Sequence, residues 1–173
     1  RVVNITSIVG KNQEIPSNIE AEQHLLGSVL VNNDIIDEVA NIISSEKFYD
    51  PIHVKIFEVI ENLNSKGMIA NPITLKNYFE KNQGLDDVGG VEYLVKLTRF
   101  SSSVKQAIDY AKIVHENFVK RELIQISHNI KDDTLNSEED KSSDLIIEDA
   151  EKLLFDLAER GSFSQSFMKF NLV

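Results

Sequence analysis

Two stretches decide the fold of this chain: VKQAIDYAKIVHENFVKRELIQISHNIKDD, residues 104–133, and DLIIEDAEKLLFDLAER, residues 144–160. Both repeat apolar residues at helical spacing. In the first, Val104, Ile108, Ala111 and Phe118 make one stripe, and Val119, Leu123, Ile126 and Ile130 make another. In the second, Ile146, Ala150, Leu153 and Leu157 share a face, while Phe155 points to the opposite side. The polar, acidic segment from Thr134 to Ser143 separates them, so the pair reads as a helical hairpin. A helix with two apolar faces needs two neighbours to bury them. One is the other arm. The second is the chain's own body or another protein, which makes this an assembly module.

Upstream, shorter helices announce themselves by their start signals. Residues 1–15 show no period and are expected to form a flexible arm. Pro16-Ser17 then introduces a helix, with Ser17 as cap and Glu20 completing a capping box. Such a cap is worth about 1 kcal/mol. A second helix is expected from about Asp34 to Ser44. Asp50-Pro51 and Asn71-Pro72 each place a capping side chain before a proline at the first helical position. The helix after Pro51 stops near Gly67, and the one after Pro72 closes near Gly84. Gly89-Gly90 breaks the chain before a fifth short helix, Val91 to Phe100. No segment sustains the alternation of a strand, so the fold class is all-α: a head of about five short helices over residues 16–103 and a two-helix hairpin over 104–160. In the tail, residues 161–173, Phe163, Phe167 and Phe170 recur at helical spacing, as at the start of a linker that docks elsewhere. The chain starts at Arg1 rather than Met and stops in an apolar segment, so it is expected to be an excised piece of something longer.

Composition removes several function classes. The formal net charge of −10 leaves little to neutralise phosphates, and no basic run marks a nucleic-acid patch. Cysteine is absent, which excludes disulfides and thiolate metal sites and fits a reducing compartment. No apolar run is long enough for a membrane span, and no secretion signal is visible.

The search for chemistry ends without a catalytic constellation. Gly89-Gly90 is followed by Val91-Glu92, not by the lysine and hydroxyl of a phosphate-binding loop. His24, His53, His115 and His128 are scattered without metal-ligand spacing, and His53 reads as a core or locally bonded ring. The acidic stretch from Asp132 to Asp140 lacks the alternating ligands and central glycine of a calcium loop. Glu20 and Glu22 lie two apart on a helix and do not face each other, so capping and surface charge explain them.

Six strings, in order, carry a resemblance to a known family. They are Ile19-Glu20-Ala21-Glu22-Gln23 with Leu26-Gly27; Phe48-Tyr49 with His53 and Ile56-Phe57; Thr74-Leu75 after Gly67; Gly89-Gly90 with Tyr93-Leu94; Tyr110-Ala111 with Ile113-Val114, Arg121 and Leu123-Ile124; and Ala150-Glu151 with Phe155. Together they resemble the N-terminal domain of the bacterial replicative DNA helicases, the DnaB family, from Pro16 to about Arg160. Departures stand at Ile69 and Asn71, where the family usually has proline and aspartate; here the proline is Pro72.

The resemblance implies a parent that forms a hexameric ring and unwinds DNA at the replication fork with ATP. Its RecA-like motor, which holds ATP and Mg, would follow the linker and is absent here. No cofactor, metal or catalytic residue is therefore expected in this chain. The N-terminal domains of the family pair through their hairpins into a collar of three dimers, recruit primase and respond to helicase loaders. Ile113, Val114, Phe118, Ile147, Leu154 and Phe155 are the candidates for pairing with a second copy, motivated by the surplus apolar face. Tyr93, Ile124 and Ile130 are the candidates for docking the C-terminal region of primase, on the resemblance. The expected location is the cytoplasm. The alternative is a helical DNA-binding domain, which the few cations of residues 72–81 and 91–100 (Lys76, Lys81, Lys96 and Arg99) oppose.

Overall fold

The computed structural model describes residues 4–10, 12–82, 84, 86–136 and 140–161. The aromatic tail at Phe163, Phe167 and Phe170, and the linker expected there, lie outside the described residues. Among the described residues there is no strand, and the all-α class holds. The helices are α1 (Ile5–Ile8), α2 (Ile19–Val31), α3 (Ile36–Ala40), α4 (Pro51–Ser65), α5 (Pro72–Lys81), α6 (Gly90–Thr98), α7 (Val104–Leu135) and α8 (Ser143–Gly161). Packing divides the chain into a head unit, Ser17–Glu116, and a hairpin unit that joins Asn117–Val173 with Arg1–Pro16. The division falls inside α7, so that helix supplies residues to both.

In the head unit, the start signals become caps. The Asp50 side chain accepts from the Ile52 N–H at 2.9 Å, with Pro51 following. Asn71 and Thr74 exchange bonds in a complete capping box ahead of α5. Two expectations shift. Asn18, not Ser17, caps α2, its side-chain oxygen Oδ1 accepting from Ala21 N–H at 2.9 Å. The helix expected over 34–44 is instead a 3-10 turn, Asn33–Ile35, followed by the short α3. The cause is long-range bonding that apolar spacing does not encode. The Asn33 side chain is drawn to both backbone groups of Ala70, at 2.8 and 2.7 Å, and the Ser45 N–H goes to Glu61 at 3.1 Å instead of to a helix carbonyl.

The head core is apolar and tight. Leu25, Leu26, Val29, Ile56, Ile60, Leu75, Leu94 and Leu97 are fully enclosed. Each such side chain contributes about 1.5–3 kcal/mol over an exposed one. The closest helix approach is α2 on α6. A Cβ on Gly27 would sit 2.0 Å from the Leu97 carbonyl oxygen, so only glycine lets the two backbones meet there.

In the hairpin unit, α7 and α8 run antiparallel. Arg160 near the end of α8 reaches Glu122 at 3.6 Å and lies over the Phe118 ring at 5.9 Å. Lys141, just before α8, spans Asp133 on α7 and Asp149 on α8 at 3.4 and 3.5 Å. Residues 1–15 are not featureless: Asn4 caps the single turn α1, and Arg121 donates to the Pro16 carbonyl at 2.8 Å.

Candidate functional site

The hairpin unit carries an apolar face that its own residues do not cover. Of the α8 face read from the sequence, Leu157 is buried and Ile146 and Ala150 are half-buried, but Leu153 is 39% exposed, so that face is only partly covered. Ile147 and Leu154 are seven residues apart and therefore share a stripe, which borders that face because Ala150 lies three and four residues from them; they are 56% and 43% exposed. Phe155 flanks that stripe at 64% exposed. With Leu145 at 42% and Leu153 at 39%, five large apolar side chains of α8 stand in water, more than single scattered residues account for.

The other pairing candidates divide. Ile113, in the head unit, is 39% exposed, but Val114 and Phe118 are 2% and 6% exposed. These two continue the stripe of Ala107 and Ala111, spaced four, three and four residues apart along α7, which is that helix's buried face. They offer almost no area to a partner, so the surface is narrower than the sequence suggests.

The primase candidates also divide. Ile124 and Ile130 are half-buried on α7 of the hairpin unit. Tyr93, in the head unit, is half-buried and belongs to a network that the sequence did not reveal. Its hydroxyl lies 2.6 Å from His53 Nε2 and 3.4 Å from Gln23 Nε2, and its ring stacks on His53 with an interplanar angle of 10°. His53 is fully buried, and its Nδ1 is 2.8 Å from Glu22 Oε1. Glu22, 1% exposed, also accepts the backbone N–H of Tyr49 at 2.8 Å and of Asp50 at 3.2 Å. Desolvation, the largest effect, pushes the Tyr93 phenol above its ordinary value, and the carboxylates of Asp50 and Glu22 add to the shift.

Glu22 is thus neither cap nor surface charge. It anchors the start of α4 and joins α2, α4 and α6 through one carboxylate, one imidazole and one phenol. The helical period held a signal: position 22 shares a stripe with Leu25, Leu26 and Val29, all buried. A raised phenol at the end of the relay is the reverse of an activated nucleophile. The arrangement stiffens the head rather than offering a reactive group. Among the described residues no group of three or more His, Asp or Glu could hold a metal ion, and no helix is long and apolar enough to cross a membrane.

Comparison with known proteins places this geometry. Residues 14–116 match the family model described as DnaB-like helicase N terminal domain. The replicative DNA helicase DnaB of Rickettsia conorii is 36% identical over 179 residues, covering 99% of this chain and 36% of that protein. That of Rickettsia bellii is 41% identical over 155 residues, covering 90% and 31%. The chain spans about a third of the length of these relatives. The crystal structure of the N-terminal domain of DnaB helicase from Mycobacterium tuberculosis superposes with a TM-score of 0.76 at 25% identity, covering 83% of this chain and 99% of that one. A DnaB-like replicative helicase, studied with its interactions with primase, shares the fold at a TM-score of 0.66 and 22% identity, covering 89% and 34%. The family match takes in more than half of the chain and contains the whole Glu22–His53–Tyr93 network; this chain belongs to the DnaB-like helicase N-terminal domain family.

Proposed function

We propose that this chain is the assembly domain of a hexameric replicative helicase, pairing with a second copy through the outer face of α8 to build the collar of the ring. The observation that carries the reading is that Ile147, Leu154 and Phe155 stand in water on a helix whose Leu157 is already engaged within the hairpin unit. A two-fold contact would set this patch against its own copy. A specific interface needs about 800 Å² per partner, so the patch would be the centre of a larger contact and not the whole of it. The whole protein unwinds DNA at the fork with ATP and Mg in a motor domain outside this chain. In a bacterial cytoplasm the collar recruits the C-terminal region of primase and is read by a helicase loader. Direct binding of DNA by this domain has no part in the reading, because a net charge of −10 repels the phosphate backbone.

Sedimentation over a wide concentration range tests the pairing. The chain should move from monomer to dimer by high micromolar concentration, and Phe155→Asp with Ile147→Asp should hold it monomeric while leaving its circular dichroism unchanged. A wild-type chain that stays monomeric throughout would count against pairing through α8. For primase, Tyr93→Ala cuts both a surface ring and the internal relay. Tyr93→Phe separates the two, since it keeps the ring and loses only the hydroxyl. Unchanged primase affinity in Tyr93→Ala would remove Tyr93 from that site.

A further inference from the structure

The pose of the Tyr93 ring is not set by its own helix. α6 begins at Gly90 without a side-chain cap, and Gly89 and Gly90 stand in the left-handed region at φ 81° and 73°. A half-buried tyrosine close behind such a turn still has its side-chain torsions to fix. His53 fixes them. The Tyr93 hydroxyl meets His53 Nε2 at 2.6 Å, against 3.4 Å to Gln23, and the two rings stack 6.0 Å apart at 10°. A bond and a stack on one residue define the ring's position, whichever of the two atoms donates. Gly89 leaves the ring its room: a Cβ there would stand 3.1 Å from Tyr93 Cβ and 3.3 Å from Cγ. His53 is itself fully buried and tied through Nδ1 to Glu22 at 2.8 Å. The Glu22 carboxylate is held in turn by the backbone N–H groups of Tyr49 and Asp50. A rigid line of contacts thus runs from the interior of the head to one half-buried ring at its edge.

We propose that His53, anchored by Glu22, is a positioning residue for partner binding: it holds the Tyr93 ring in the pose that the C-terminal region of primase meets. The inference rests on the reading that Tyr93 contacts primase. His53 touches no partner, because it is fully buried, and acts through Tyr93 alone. A side chain that is ordered only on association lowers affinity by the freedom it loses, whereas one already held in the free protein does not. For one such side chain the difference is about 2- to 10-fold in affinity. The buried pair therefore acts on recognition from beneath the surface, by preorganising the group that does the touching.

Titration of the full chain with its cognate primase tests it. Tyr93→Ala should weaken binding most. Tyr93→Phe keeps the ring and deletes its bond to His53. His53→Asn keeps a donor for Glu22 and deletes both the bond and the stack. Each of these two should weaken binding about 2- to 10-fold while the circular dichroism stays that of the wild type. Placed in the Tyr93→Ala background, His53→Asn should add no further loss, because a positioning group then has nothing left to position. A His53 that serves only the fold would lower affinity in that background as well. Unchanged affinity in Tyr93→Ala overturns the primase reading, and the positioning role falls with it. Weakened binding in Tyr93→Ala beside wild-type affinity in both Tyr93→Phe and His53→Asn overturns positioning alone. So does a His53→Asn loss that persists in Tyr93→Ala. Tyr93→Phe leaves the Glu22–His53 pair intact, so if His53→Asn does not fold, wild-type affinity in Tyr93→Phe overturns the proposal by itself.

Discussion

Replacing Glu22 should be the most damaging single polar change in the head. Its carboxylate satisfies three donors: Tyr49 N–H through Oε2, and Asp50 N–H with His53 Nδ1 through Oε1. A buried donor left without a partner costs about 1–3 kcal/mol. Glu22→Ala orphans all three at once. Water entering the vacated space recovers part of the sum, which leaves a loss of about 3–5 kcal/mol. That is a large share of the roughly 5–15 kcal/mol that holds a domain together. Glu22→Gln is milder by a calculable step. Its carbonyl oxygen can keep Asp50 and His53, while its NH₂ meets the Tyr49 N–H, so one donor is orphaned and the loss is about 1–3 kcal/mol. Urea unfolding followed by circular dichroism in the tyrosine band reads this unit alone, because all four tyrosines, Tyr49, Tyr78, Tyr93 and Tyr110, lie within Ser17–Glu116 and the chain has no tryptophan. A loss under about 1 kcal/mol for Glu22→Ala would refute the claim that unmet donors are what make Glu22 costly to remove. Equal losses in the two variants would refute the donor count and assign the effect to charge.

Three further outcomes rest on the same head. Gly27→Ala puts a Cβ 2.0 Å from the Leu97 carbonyl oxygen and must force α2 from α6; overpacking of this kind costs about 3 kcal/mol, and an unchanged urea midpoint would show that the helices separate freely. Burial raises the Tyr93 phenol, so the folded state holds that proton more tightly than the unfolded chain. Its stabilisation is intact below the ordinary tyrosine value of about 10 and is lost as pH rises through Tyr93's own higher value. Phenolate absorbance should then show one tyrosine ionising last, and Tyr93→Phe should delete that step; four phenols ionising together would contradict it. Asn71→Ala removes one half of the capping box of α5 and should lower stability by about 1 kcal/mol, measured as a lower urea midpoint at constant slope.

What could be read from the sequence follows the range of the forces involved. Asp50-Pro51 and Asn71-Pro72 predicted the starts of α4 and α5 correctly because a cap bonds two or three residues on, within the string that announces it. α7 and α8 were legible because their periodicity runs for many turns. The region after Val31 was not, since the residues that break its helix answer to Ala70 and Glu61, distant in sequence. Glu22 failed for the same reason: its partners lie 27, 28 and 31 residues away. A charged residue on a buried stripe is itself the local trace of such a partner, and the stripe of positions 22, 25, 26 and 29 contained it.

The same reasoning separates the two apolar faces of the long helices. Surplus hydrophobicity identifies a helix that needs two neighbours, but it does not say which face the chain covers itself. On α7 the small side chains do. Ala107 and Ala111 admit close backbone approach, and the stripe they define on α7 runs on through Val114 and Phe118 into the interior. On α8, Ala150 lies with Ile146 and Leu157 on the more covered arc, Ile147 and Leu154 border that arc, Phe155 points away from it, and these last three stay in water. In the pairing proposed above, a second α8 would meet this apolar surface with its own.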